Sequence, residues 1–164
     1  MTARRSRSMV LLLLPLLLVG GSASAATAGG GTALALAALV GDHAPDLHNR
    51  EQRVLSRLFR GRSDVSFPAG RTISVKADSV ACRASNVDIT SRSCKLTFGS
   101  KTVDLSGRRA HELAATIAEA GVPPDGAAGS VFEGLSHLVC TIDPNVIAQK
   151  AGGGADCTFD PGAP

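Results

Sequence analysis

The apolar positions of this chain follow two periods. Between Arg71 and Ala77, Ile73 and Val75 alternate with Thr72, Ser74 and Lys76, the two-residue period of a strand with one buried face. The parity changes at Asp78-Ser79, after which Val80 and Cys82 hold the apolar positions, so a bend, bulge or turn is expected there. Cys94, Leu96 and Phe98 alternate with Lys95 and Thr97, and after Gly99-Ser100 the alternation resumes over Lys101–Leu105. Two strands joined by two residues beginning with Gly predict a tight hairpin, because Gly supplies the positive φ that a primed turn needs.

From Ser106 onward the period lengthens. Ala110, Leu113, Ala114 and Ile117 form one stripe, with Arg108, Glu112 and Glu119 on the opposite face, which predicts an amphipathic helix suited to close packing on a sheet. Ser106 is the expected N-cap, Gly121 the left-handed stop, and Pro123-Pro124 forbid continuation. A second amphipathic helix is predicted over Asn49–Phe59, with Val54, Leu55, Leu58 and Phe59 as its stripe and Gly61 beyond its end. Arg50, Arg53, Arg57 and Arg60, with Arg62 just beyond, make this segment (49–61) basic. It reads either as a partner-binding helix or, more plainly, as a solvated face with Leu55 and Phe59 docked on the domain. Ser130–Leu135 is ambiguous between a helical turn and irregular chain, and Leu138–Ile142 reads as a buried strand. Asp143-Pro144 begins a short helix running to about Lys150, and Asp156–Phe159 reads as a last strand.

The segment 29–48 has a different character. Thr32–Val40 is apolar but is bracketed by Gly29-Gly30-Gly31 and Gly41, and it reads as a mobile Gly/Ala-rich leader or a weakly membrane-associating stretch. No internal repeat is legible. The expectation is therefore an α+β domain over about residues 67–160, with a small antiparallel sheet of about four or five strands, one main covering helix and two disulfides.

Composition narrows the function classes. The chain of 164 residues contains no Trp, no Tyr and five Phe, so its core is aliphatic. Its formal charge of +3 is supplied entirely by Arg4, Arg5 and Arg7; the remaining 14 basic side chains face 14 acidic ones. A neutral domain has no global field to draw it to nucleic acid or to an anionic membrane. The same three arginines precede an apolar run from Met9 to Val19 and two small-x-small sequences, Ala23-Ser24-Ala25 and Ala26-Thr27-Ala28. Residues 1–28 thus read as a secretory signal peptide, cut after Ala25 or Ala28. The apolar run is too short to cross a bilayer, which takes about 20 residues, so no stable membrane span is expected after cleavage.

Export accounts for the cysteines. Cys82, Cys94, Cys140 and Cys157 form an even set in a small exported chain, for which disulfides are the default. Cys82–Cys94 and Cys140–Cys157 are the preferred pairs, because each closes a short loop beside a strand. Each would contribute on the order of 3 kcal/mol by restricting the unfolded chain. Zinc is a poor rival without a C-x-x-C pair.

Catalytic motifs are missing from the sequence. There is no G-x-S-x-G, H-E-x-x-H, S-x-x-K or G-x-G-x-x-G. Asp42-His43-Ala44-Pro45-Asp46-Leu47-His48 gathers two His and two Asp, but metal ligands need a rigid frame, and the patch reads as solvated polar residues. No cofactor and no metal are expected. Two features attract a functional reading. Arg108 and Arg109 sit in the first turn of a helix, where the dipole disfavours cations; with Ser106 and Gly107 they form an anion-attracting corner unless Asp104 and Glu112 neutralise them. The Cys82–Cys94 loop is polar and carries Arg83 and Arg92, which a protease inhibitor could present. A Ser130–His137 pair is the remaining place to look for converging catalytic groups. The reading is a non-catalytic exported binding or structural module, periplasmic or extracellular, with a protein partner. A secreted protease inhibitor is the alternative.

Overall fold

The computed structural model describes residues 25–85, 92–122, 125–127, 130–150 and 153–162. In chain order its strands are β1 (Ala26–Gly29), β2 (Ile73–Ser85), β3 (Ser93–Phe98), β4 (Lys101–Ser106), β5 (Asp125–Ala127), β6 (Ser130–Ile142) and β7 (Ala155–Pro161). The helices are α1 (Gly30–Gly41), α2 (Asn49–Phe59), α3 (Gly107–Glu119) and α4 (Pro144–Gln149). Six strands lie side by side in the order β1-β7-β6-β2-β3-β4, all antiparallel, and the short β5 extends the sheet beside the start of β6. The fold is α+β, as the alternation predicts, with a wider sheet than expected. Ser130–Leu135 belongs to the long strand β6.

One face of the sheet is covered and the other is open. Ile73, Val75, Leu96, Leu138, Ile142 and Phe159 point into the core, while Ser74, Lys76, Lys95, Thr141 and Thr158 are exposed on the far face, the usual division in an antiparallel sheet with solvent on one side. Both central strands change parity at the same level. In β2 the buried positions pass from Ala77 to Val80 across Asp78-Ser79, and in β6 they pass from Leu135 to Leu138 across Ser136-His137. A bulge of β6 against β7 lies at this point, and His137 adopts φ 51°, a left-handed conformation in which His is over-represented among non-glycine residues. Asp78 turns outward and accepts the Gly99 N–H, tying the β3–β4 turn to the bend.

The segment expected to be a mobile leader is the centre of the core. Ala33, Leu36, Ala37 and Val40 of α1 have no exposed surface, and α1 packs on the sheet with α2 and α3 as its other neighbours. Ala and Leu are among the strongest helix formers, and a helix apolar on every side belongs in an interior. The flanking glycines are junctions between elements. The membrane-associating alternative for this stretch is likewise set aside by its burial. The sheet is therefore covered by two helices, α1 and α3, in place of one.

The chain also contains a duplication that its order conceals. The sheet order is unchanged when β1 is exchanged with β4, β7 with β3 and β6 with β2. Each disulfide joins directly opposite residues, Cys82 with Cys94 across β2–β3 and Cys140 with Cys157 across β6–β7. Cys94 lies opposite Leu105 of β4, and Cys157 lies opposite Ala28 of β1. Two residues further on come Gly107 at φ 62° and Gly30 at φ 61°, each turning an edge strand into a helix through a conformation that costs other residues roughly 1–2 kcal/mol. The Cys94 sulfur then sits 3.3 Å from the Ala110 carbonyl oxygen, and the Cys157 sulfur 3.4 Å from that of Ala33. The wholly buried set Ala110, Leu113, Ala114 and Ile117 repeats the spacing of Ala33, Leu36, Ala37 and Val40. One unit is β2-β3-β4-α3. The other is β6-β7 from late in the chain, completed by β1-α1 from its beginning.

This equivalence has a measurable consequence. Leu36→Ala and Leu113→Ala are each expected to lower unfolding free energy by about 2–5 kcal/mol, read by urea denaturation of the oxidised protein. A loss below about 0.5 kcal/mol for Leu36→Ala would mean that α1 is not part of the cooperative core.

Candidate functional site

The disulfides form as expected from the cysteine spacing, and all four cysteines are buried. Their role is to clamp the outer strand pairs beneath the two helices. The loop that Cys82–Cys94 closes includes residues 86–91, which lie outside the described residues. Its flanks place Arg83 exposed on β2 and Arg92 partly buried before β3. Ser130 and His137 lie on one strand seven positions apart, roughly 20 Å along an extended chain, so they do not converge. The His137 imidazole instead meets Asp160, Nδ1 to Oδ2 at 2.9 Å, across the bulge. Among the described residues, no group of three or more His, Cys, Asp or Glu side chains is placed to hold a metal ion.

The predicted corner at Ser106, Gly107, Arg108 and Arg109 lies beside a cleft of about 340 Å³ where the start of α3 meets the end of α1 beneath α2. Leu39 of α1, Phe59 of α2 and Leu105 of β4 line its apolar part, and Arg60, Arg108 and Arg109 line its polar part. Phe59, which the amphipathic pattern places on the packed face, is 43% exposed, because it lies at the last position of α2, where the helix leaves the core. Val54, Leu55 and Leu58 take the buried places. Elsewhere on the basic segment three cations are engaged. Arg57 and Arg62 pair with Asp64 at 2.8 and 3.3 Å, and the Arg50 guanidinium lies 6.0 Å above the Phe67 ring.

The corner is built differently from its sequence signature. The Ser106 side chain makes no capping bond, because the left-handed Gly107 carries the chain directly into the helix. Glu112 neutralises Arg108, accepting from its Nε at 2.8 Å one turn away. The counterion of Arg109 is Asp42, at 3.5 Å, from the end of α1 rather than Asp104; Asp104 lies in β4 opposite Lys95. Both arginines remain open to solvent, with side chains 91% and 61% exposed. Such exposed pairs are worth at most about 1 kcal/mol, so an incoming anion can displace either carboxylate. Three guanidinium groups against two carboxylates leave this corner positive.

His43 belongs to the same cleft. Burial lowers its pKa below the ordinary 6.5, against an opposing pull from Asp42 and with help from Arg109 and Lys101. The signal available in the sequence was the pair of cations in a helical first turn. The participation of Leu39 and His43 was hidden, because it depends on α1 being a helix.

No family model, curated protein or solved structure matches the chain.

The depressed pKa makes a prediction. The unfolded state takes up its His43 proton near pH 6.5, and the folded state only at lower pH. The contribution of neutral His43 to stability is therefore complete above this pH and declines as pH falls through it toward the folded value. His43→Gln should consequently show a smaller loss of stability than the wild type between pH about 7.5 and about 5.5, measured by urea unfolding at both values. Equal losses would remove His43 from the account.

Proposed function

We propose that this protein is a small exported, non-catalytic binding module that takes a carboxylate carried on an apolar stem, presented by an extracytoplasmic partner, in the cleft between α1, α2 and α3. The observation that carries this reading is a difference between the two halves of the duplication. The fold asks for a strand, a left-handed glycine and an Ala-rich helix at both places. One copy begins its helix Gly30-Gly31-Thr32 and the other Gly107-Arg108-Arg109. The first copy shows that the architecture needs no cation there. Two arginines nevertheless occupy the turn where the helix dipole opposes them, and only this copy has α2 above it with Phe59 and Arg60 facing the cleft.

The chemistry suits a mixed ligand. Guanidinium groups bind carboxylates through paired N–H donors, while Leu39, Phe59 and Leu105 offer apolar surface to a stem. A volume of about 340 Å³ is at the lower end of the range for small-molecule sites. Export draws support from the two disulfides, which belong to oxidising compartments, and from the charged, apolar and small-residue order of residues 1–28. No helix among the described residues is long and apolar enough to cross a membrane.

Octanoate is a suitable probe, with octanol and acetate as its uncharged and stemless controls. Amide and imidazole NMR titrations should show saturable shifts at Leu39, His43, Phe59 and Arg109 with octanoate, weaker by tenfold or more with either control. The bound carboxylate should also raise the His43 titration midpoint, since a nearby negative charge favours imidazolium. Arg108→Ala/Arg109→Ala should weaken octanoate by about tenfold or more, the equivalent of roughly 1.4 kcal/mol. Equal affinity for octanol, or for the double variant, would overturn the proposal.

A further inference from the structure

We infer that the mature chain begins at Ala26, through cleavage of the Ala25–Ala26 bond by an extracytoplasmic leader peptidase that reads small residues at the first and third positions before the cut. The inference rests on the export half of the proposed function and is independent of its ligand. Two Ala-x-Ala sequences adjoin β1 and meet this requirement, Ala23-Ser24-Ala25 and Ala26-Thr27-Ala28. The fold distinguishes them.

Ala26, Thr27, Ala28 and Gly29 pair with Phe159, Thr158, Cys157 and Asp156. A cut after Ala25 leaves this strand whole. A cut after Ala28 removes three of its four residues, including Ala28, which is buried against the core at 8% exposure, and it uncovers the outer side of β7 beside the Cys140–Cys157 disulfide. Ala25, by contrast, is exposed and precedes the strand.

The duplication points to the same end of the strand. The pair Ala26–Phe159 corresponds to Val103–Leu96 in the other unit. Beyond Leu96 the chain turns back through Gly99, at φ 58°, and re-enters as β4. Beyond Phe159 there is no such return, because β7 and β1 come from distant parts of the sequence. Gly162, at φ 119°, ends the described chain on that side. The edge that is closed by a hairpin turn two pairs beyond Val103–Leu96 in one unit has no such closure in the other, so an N-terminus just ahead of β1 falls on the side where the architecture already has its opening. The reaction is simple hydrolysis. The Ala25–Ala26 carbon–nitrogen bond breaks, water supplies hydroxyl to the Ala25 carbonyl carbon and hydrogen to the Ala26 nitrogen, and the products are a leader carboxylate and an α-amino group at the tip of β1.

The test is intact mass and N-terminal sequencing of the full-length product recovered from the extracytoplasmic fraction of an exporting host. An N-terminus of Ala26 is expected. Exported protein beginning at Gly29, or exported with its leader uncut, would overturn the inference. Uncut protein confined to the cytoplasm would instead count against export, and with it this inference, while leaving the ligand test untouched. A second measurement compares refolded chains beginning at Ala26 and at Gly29. The shorter chain should melt lower by about 5 °C or more, and equal melting would overturn the structural argument for this bond.

Discussion

The constraint on which this structure depends is the close seating of two Ala-rich helices on one sheet, each above a disulfide. Ala33 and Ala110 meet the Cys157 and Cys94 sulfurs at 3.4 and 3.3 Å through their carbonyl oxygens. A contact that short leaves no room for a large side chain at that level, so small residues are required where the helix axis is nearest the sheet. Leucine follows three positions later, a second alanine four positions later and a branched residue seven positions later, in both helices. Without Trp or Tyr to fill space, such a core relies on close approach for its packing density. The cross-strand disulfides reinforce it by fixing the strand pairs on which each helix rests.

How much of this could be read from the sequence depends on where the determining contacts lie. The hairpin at Gly99-Ser100, the helix after Ser106, the Asn49–Phe59 helix and the Asp143-Pro144 start are written locally, in alternation, stripe and turn chemistry, and the structure contains each of them. Asp143 even accepts from two first-turn N–H groups, those of Asn145 and Val146, as its capping role requires. The alternation break at Asp78-Ser79 was legible as well, though its counterpart at Ser136-His137 was not, because Ser130–Leu135 lacks a clean period. Helix α1 was misread for a physical reason. A helix that is apolar on all sides has no polar face, so it lacks the contrast on which a periodic reading relies, and glycines at both ends resemble a linker. Its identity is set by non-local contacts with β6, β7, α2 and α3.

The duplication was illegible for a different reason. A tandem repeat shows itself as one constant offset along the chain. Here β1-α1 precedes β4-α3, while β6-β7 follows β2-β3, so the two parts of the second unit lie on opposite sides of the first and are displaced in opposite directions. Residue identity adds to the concealment, since Cys94-Lys95-Leu96 and Cys157-Thr158-Phe159 share only the cysteine and an apolar third residue. What persists is geometry. The left-handed glycine two residues after the position opposite the cysteine, and the helical alanine three residues later, are retained because neither tolerates a larger substituent without strain or displacement.

Positions that match in both units, such as Leu36 with Leu113 and Ala37 with Ala114, are explained by the shared packing problem. Positions that differ are released from it. Gly31-Thr32 and Arg108-Arg109 differ as much as exposed residues can, and the costlier choice, two cations against a helix dipole, appears beside α2. The corner's own counterions do not remove the cost, because an exposed pair returns little energy and immobilises long side chains in doing so. In the proposed reading, an anion that bridges the guanidinium groups and covers the adjoining Phe59 and Leu39 would offset this expense. The proposed ligand would therefore supply a reason for this corner that the shared packing does not.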